Sequence, residues 1–269
     1  MLYEISSRGL AAFVTNNTSR IKQLVFKMIT FSVLVTVTIF GLSEASWPDG
    51  KYCLPMPRSQ ICPSGWQKGY RDHDTEDDQG SSYCIFKRLG WVPYNKKLCR
   101  DLGWGFCCKT RDNYPSTGKT WPKGSYCIFR YGGSCPTGFH EGYMRWDDED
   151  TNNANRRSGY LPDGVYDAET KMHFCCRNDP LVLLAFPHIM VFDILTGLPK
   201  CSEIIVMRYK GKCPSHTLGY QGPHTGFLQW DTEDNNNADQ RVGEFPDGTK
   251  NFRNGIKIEF CSYTSSYYC

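Results

Sequence analysis

Two stretches of the 269-residue chain gather the side chains best suited to chemistry: W-D-D-E-D-T-N-N-A-N at 146–155 and W-D-T-E-D-N-N-N-A-D at 230–239. An indole ring can stack on a sugar face while neighbouring carboxylates and amides take hydroxyls. That chemistry makes Trp146, Asp147, Glu149, Asp150 and Asn152 candidate ligand-binding residues, together with Trp230, Asp231, Glu233, Asp234 and Asn236. Their hard oxygens, with those of Asn153 and Asn237, also suit calcium, although the spacing is not that of an EF-hand. No cofactor is expected, with calcium at Asp147, Asp150, Asp231 and Asp234 as the alternative. Glu149 or Asp150 could act as an acid or base on a glycan. Glycoside hydrolysis, however, needs two carboxyls about 5–10 Å apart, flanking one bond. A motif that recurs is poor evidence for one catalytic pair, so the expectation is a binding protein rather than an enzyme, with no catalytic residue. A purely structural use fits the same letters. Asp and Asn side chains bond to nearby backbone and brace long turns, and Trp can be core.

The elements that position these loops are repeated. G-Y-R-D-H-D-T-E-D (69–77), G-Y-M-R-W-D-D-E-D (142–150) and G-F-L-Q-W-D-T-E-D (226–234) share one pattern, with His73 standing where the other two have Trp. The first repeat also lacks the Asn run. W-P-x-G-x-Y-C opens the first two repeats, at 47–53 and 121–127, and R-Y-x-G-x-C-P is shared by the second and third, at 130–136 and 208–214. P-D-G follows at 162–164 and 246–248, and each repeat ends near a Phe-Cys pair. A long fixed period signals repeated supersecondary units, here about 46–112, 119–180 and 198–269. Six extra residues between Cys213 and Trp230 read as a loop insertion, and Leu181–Leu195 as a buried apolar linker.

All fourteen cysteines follow residue 45. Residues 28–42 are fifteen uncharged residues preceded by Arg20, Lys22 and Lys27 and followed by Ser43-Glu44-Ala45. That layout predicts a leader over 1–45 carrying a signal peptide with its apolar region at 28–42, too short to span a membrane as a helix. The mature chain, 46–269, is then secreted, extracellular and without a membrane span. The leader's four basic and two acidic residues take two of the formal +3, leaving a net +1 that offers no footprint for nucleic acid. An even cysteine count behind an export signal reads as a disulfide framework. Correspondence between repeats pairs Cys62–Cys107, Cys135–Cys175 and Cys213–Cys261. Cys53–Cys108 and Cys127–Cys176 form a second set, lost together in the third repeat to Ile205 and Ser262, and Cys84–Cys99 and Cys201–Cys269 remain. Partner exchange within 107/108 and 175/176 stays open. No free thiol is expected. No G-x-S-x-G elbow or phosphate-binding Gly loop occurs, and His173, before Phe174 on an expected strand, reads as structural.

No capped 3.6-residue periodicity points to a long helix. Short β-branched and aromatic segments at Tyr126–Tyr131, Lys171–Cys175, Ile204–Tyr209 and Lys257–Tyr263 alternate with Gly, Pro, Asn and Asp. The fold class is all-β and disulfide-rich: three diverged repeats of short antiparallel strands and long loops, with sandwich and barrel both open.

At these residues the chain resembles the apextrin C-terminal domain (ApeC) family. The likeness rests on W-P-x-G-x-Y-C, R-Y-G-G-S-C-P-T-G-F (130–139), W-D-D-E-D-T-N-N-A-N (146–155), L-P-D-G (161–164) and H-F-C-C-R (173–177), and it spans 46–269. The resemblance implies a secreted invertebrate protein that recognises bacterial cell-wall glycan or peptide, such as peptidoglycan or muramyl peptide, in innate immunity. For other members it implies an extracellular-matrix or cell-adhesion role with matrix-protein partners. Some relatives carry a membrane-attack domain before this one. Here the leader runs into Trp47, so pore formation is not expected.

Overall fold

A computed structural model of the chain describes residues 47–74, 83–84, 102–113, 116, 118, 120–148, 153–179, 203–214, 220–232, 237–248 and 255–265. The leader, the 181–195 stretch and the pairs Cys84–Cys99 and Cys201–Cys269 fall outside what is described. The class is all-β, with thirteen strands and no helix among the described residues.

Each repeat supplies an inner strand, flanked by two more. The inner strands are β1 (Tyr52–Pro55), β5 (Ser125–Arg130) and β10 (Glu203–Arg208). Their outer neighbours are β4 (Leu102–Lys109), β9 (Thr170–Asn178) and β13 (Ile256–Ser265). Next come β2 (Gln67–His73), β6 (His140–Trp146) and β11 (Tyr220–Trp230). A fourth strand then comes from a different repeat: β7 (Arg156–Gly159) pairs with β2, β12 (Gln240–Gly243) with β6, and β3 (Tyr83–Cys84) with β11. Every pairing is antiparallel, and a short β8 (Gly164–Tyr166) adds to β9. The result is one thirteen-stranded sheet in which the strand sets built on β1, β5 and β10 are each finished by a strand from another stretch of the chain.

The inner strands meet one another in the middle. Cys53 faces Phe129 across β1–β5, and Cys127 faces Met207 across β5–β10. The third side, β1 against β10, makes contact without a ladder. Pro55 stands there in the position of Phe129 and Met207, and proline has no N–H to give.

The shared motifs have local physical reasons. The Asp of P-D-G clamps the turn of R-Y-x-G: Asp163 accepts from Gly132 N (2.9 Å), Gly133 N (2.7 Å) and Arg130 Nε (2.9 Å). Asp247 repeats the device, accepting from Gly211 N at 2.5 Å and pairing with Arg208. The Gly that opens G-Y-x-x marks a backbone crossing. A Cβ on Gly69 would collide with the Tyr160 carbonyl, and one on Gly142 with the Glu244 backbone. The insertion in the third repeat is partly strand rather than loop. β11 runs back to Tyr220 with a register shift between Gln221 and His224, because those residues find ladder partners on the long β13.

Burial follows the pleat. In β4, Leu102, Trp104, Phe106 and Cys108 face a large central core, while Cys107 faces outward to Cys62. Alternation thus decides between the adjacent cysteines: the inward pairs are Cys53–Cys108 and Cys127–Cys176, and the outward pairs are Cys62–Cys107, Cys135–Cys175 and Cys213–Cys261. Ile205 and Ser262 oppose each other in the third repeat, where the inward bridge is absent.

Candidate functional site

The three motif-bearing strands β2, β6 and β11 end at one place. His73, Trp146 and Trp230, which correspond across the repeats, form a triangle with ring centroids 5.3, 5.4 and 5.5 Å apart. All three are 0 % exposed. This corrects the expectation that Trp146 and Trp230 are exposed platforms. A period-2 strand whose preceding inward residues are Gly142 and Met144 sends Trp146 inward as well. The Trp230 indole N–H donates to the Leu102 carbonyl at 3.1 Å, whereas that of Trp146 has no partner among the described residues.

The carboxylates after His73 and Trp146 each tie one repeat to the next. Asp147 accepts from Ala238 N at 2.6 Å, and its own N–H donates to Asp239 at 2.9 Å. One repeat earlier, Asp74 accepts from Ala154 N, and its N–H donates to the Asn155 side chain at 2.7 Å. The Asn run shapes the returning loop. Asn153 accepts from Asn155 N at 3.0 Å, and Asn237 accepts from Asp239 N at 2.9 Å. Asp231 is half-buried, while Glu149, Asp150, Asn152, Glu233, Asp234 and Asn236 lie outside the described residues. Among the described residues no group of three or more His, Cys, Asp or Glu could hold a metal ion.

Between the first and second repeats lies a buried polar cluster that the motif reading missed. The Arg71 guanidinium donates to Thr170 Oγ1 (Nε, 2.9 Å), to Asp148 Oδ2 (3.3 Å) and to the Asp167 carbonyl (3.2 Å). Thr170 donates to Asp148 at 2.6 Å, and Asn155 donates to the same oxygen at 3.0 Å. His73 Nε2 accepts from Trp104 Nε1 at 3.2 Å, which leaves Nδ1 to donate to Asp148 Oδ1 at 3.2 Å. Burial pushes the His73 pKa down against the pull of Asp148, so the ring is neutral. The signal for this cluster was in the repeats. Arg71 stands where Met144 and Leu228 stand, and Asp148 where Thr75 and Thr232 stand, so two departures answer each other.

Glu169 borders the cluster on the surface side. Burial, reinforced by the Asp147 carboxylate beside it, lifts its pKa to about 7, and Arg145 at 3.6 Å opposes the rise. Glu169 can therefore hold a proton near neutrality. Each carboxylate is otherwise tied to neighbouring groups, Asp147 to the third repeat and Glu169 to Arg145.

Fold and site together define a disulfide-braced all-β module built on one antiparallel sheet. The chain belongs to the ApeC family: the model for the C-terminal domain of apextrin matches residues 47–263. No curated protein and no solved structure matches it significantly. No helix among the described residues is long and apolar enough to cross a membrane.

Proposed function

We propose that this chain is a secreted recognition protein that binds bacterial cell-wall glycopeptide, peptidoglycan or its muramyl peptides, in innate defence. The observation that carries the reading is the apextrin C-terminal match across nearly all of the disulfide-braced module. Five bridges in the described part suit an oxidising, extracellular setting. Binding rather than catalysis is the reading because the motif carboxylates Asp74 and Asp147 are spent on backbone N–H groups of the neighbouring repeat. Contact with the wall then falls to exposed side chains, not to the buried Trp triangle.

The test is retention of the purified secreted chain on insoluble peptidoglycan, with soluble muramyl peptide as competitor and cellulose as control. Retention that the competitor reverses supports the reading. A chain that stays in the supernatant, or binds cellulose equally, refutes it. Release of soluble wall fragments during incubation would replace it with a hydrolase.

A further inference from the structure

The first two repeats build the same aromatic group, and only one of them is sealed. In the second repeat Trp121 and Phe139 are 3 % and 9 % exposed and pack on the buried Tyr126 at 6.0 and 5.7 Å. Arg177 closes that group, lying 5.2 Å over Phe139 and donating to the Trp121 carbonyl at 2.7 Å. In the first repeat the corresponding residues are Trp47, Trp66 and Tyr52. Trp47 and Trp66 sit 4.6 Å apart at 56°, and Tyr52 lies beneath Trp66 at 5.4 Å, edge-on and fully buried. Both indoles remain partly open to solvent. The residue in the place of Arg177 is Lys109, which lies 5.6 Å over Tyr52 instead and donates to the Gly50 carbonyl at 2.7 Å.

We propose that Trp47 and Trp66 form a stacking platform for an uncharged N-acetylated pyranose, the N-acetylglucosamine unit of a glycan strand. An indole pair on a rigid floor presents π faces to the C–H side of a sugar ring. The polar rim is fixed in advance. Asp49 accepts from Asn113 Nδ2 (2.5 Å), Ser116 Oγ (2.5 Å) and Gly118 N (2.8 Å), and Asn113 also donates to the Trp47 carbonyl at 2.9 Å. Asp112 accepts from Gly50 N at 2.7 Å. A rim held this way loses little freedom on binding, and its two carboxylates outnumber the Lys109 ammonium, which pairs with Asp112 at 3.7 Å, so it suits a neutral ring better than a phosphate. The proposal rests on the cell-wall reading and gives it a location that the Trp146 and Trp230 loops do not supply.

The experiment titrates the secreted chain with an N-acetylglucosamine tetramer and, in parallel, measures retention on peptidoglycan. Trp47→Ala and Trp66→Ala are expected to raise Kd for the tetramer at least about tenfold, the order of one lost aromatic contact. Trp66→Phe, the second repeat's own choice, keeps it within about threefold, and Phe139→Ala in the sealed group leaves it unchanged. In the wild type, bound tetramer protects Trp47 and Trp66 from oxidation by N-bromosuccinimide, read by peptide mass; this arm holds even where an alanine variant does not fold. Unchanged affinity in folded variants, or equal oxidation with and without tetramer, overturns the platform. Retention on peptidoglycan without tetramer binding overturns the platform and leaves the cell-wall reading standing. Failure of both binding arms removes both.

Discussion

His73 and Trp146 hold corresponding places in two repeats, yet they touch each other, ring to ring at 5.3 Å, with Trp230 closing the triangle. A position that read as two separate binding loops is, together with His73, one buried junction. Loss of either indole therefore acts on the fold. Trp146→Ala or Trp230→Ala is expected to cost about 3–5 kcal/mol. The phenylalanine variants separate the two: Trp230→Phe strands the Leu102 carbonyl, whereas Trp146→Phe removes a donor that has no partner among the described residues. Urea unfolding should rank Trp146→Phe as the milder change.

Asp148 balances Arg71 inside the core, both 1 % exposed. Asp148→Ala leaves a buried guanidinium unpaired and should cost about 3–5 kcal/mol. Arg71→Met combined with Asp148→Thr restores the side chains of the other repeats and should recover most of that loss. A double variant no more stable than Asp148→Ala would show that the cluster is not an ion-pair substitution.

Acid acts on this junction with two opposed signs. The folded pKa of His73 lies below its unfolded value near 6.5, so the unfolded chain takes the proton first. Its contribution to stability is present above pH 6.5 and declines as the pH falls below it. Glu169, raised from 4.5 to about 7, binds its proton more tightly when folded. Its contribution is fullest below pH 4.5 and is lost as the pH rises through about 7. Glu169→Gln leaves His73 unopposed, so stability should fall more steeply on acidification from pH 7 to 5 than in the wild type. Equal slopes in denaturant titrations would contradict these assignments.

The inward bridge is dispensable in a way the outward bridge is not. Ile205 and Ser262 already fill the inward position of the third repeat. Cys53→Ile with Cys108→Ser should therefore cost less than removing Cys62–Cys107, for which about 2–4 kcal/mol is expected. Thermal unfolding of the two double variants measures the order directly.

Strand exchange makes one glycine critical. Gly142→Ala drives a methyl into the Glu244 backbone where β6 meets β12. About 1–3 kcal/mol is expected, together with faster amide exchange in Gln240–Gly243. Protection unchanged in that strand would show that the crossing tolerates a side chain.

The sequence alone determined the all-β class and the motif correspondences, because pleat alternation, turn residues and cysteine spacing act over a few residues and leave local marks. Five described disulfides join cysteines that the repeat correspondence puts together, although only the inward and outward faces of β4 and β9 decide between neighbours. What the tertiary structure decided is where the motifs point. Trp146, Asp147 and Asn155 carry letters that serve a sugar site or a structural clasp equally well, since both uses need an apolar ring and nearby hydrogen-bonding groups. The choice depends on β7 and β12 crossing to pair with strands of a neighbouring repeat, a long-range pairing that no local pattern encodes. The same packing buries Trp121 and leaves Trp47 partly open, although both begin the identical motif W-P-x-G-x-Y-C.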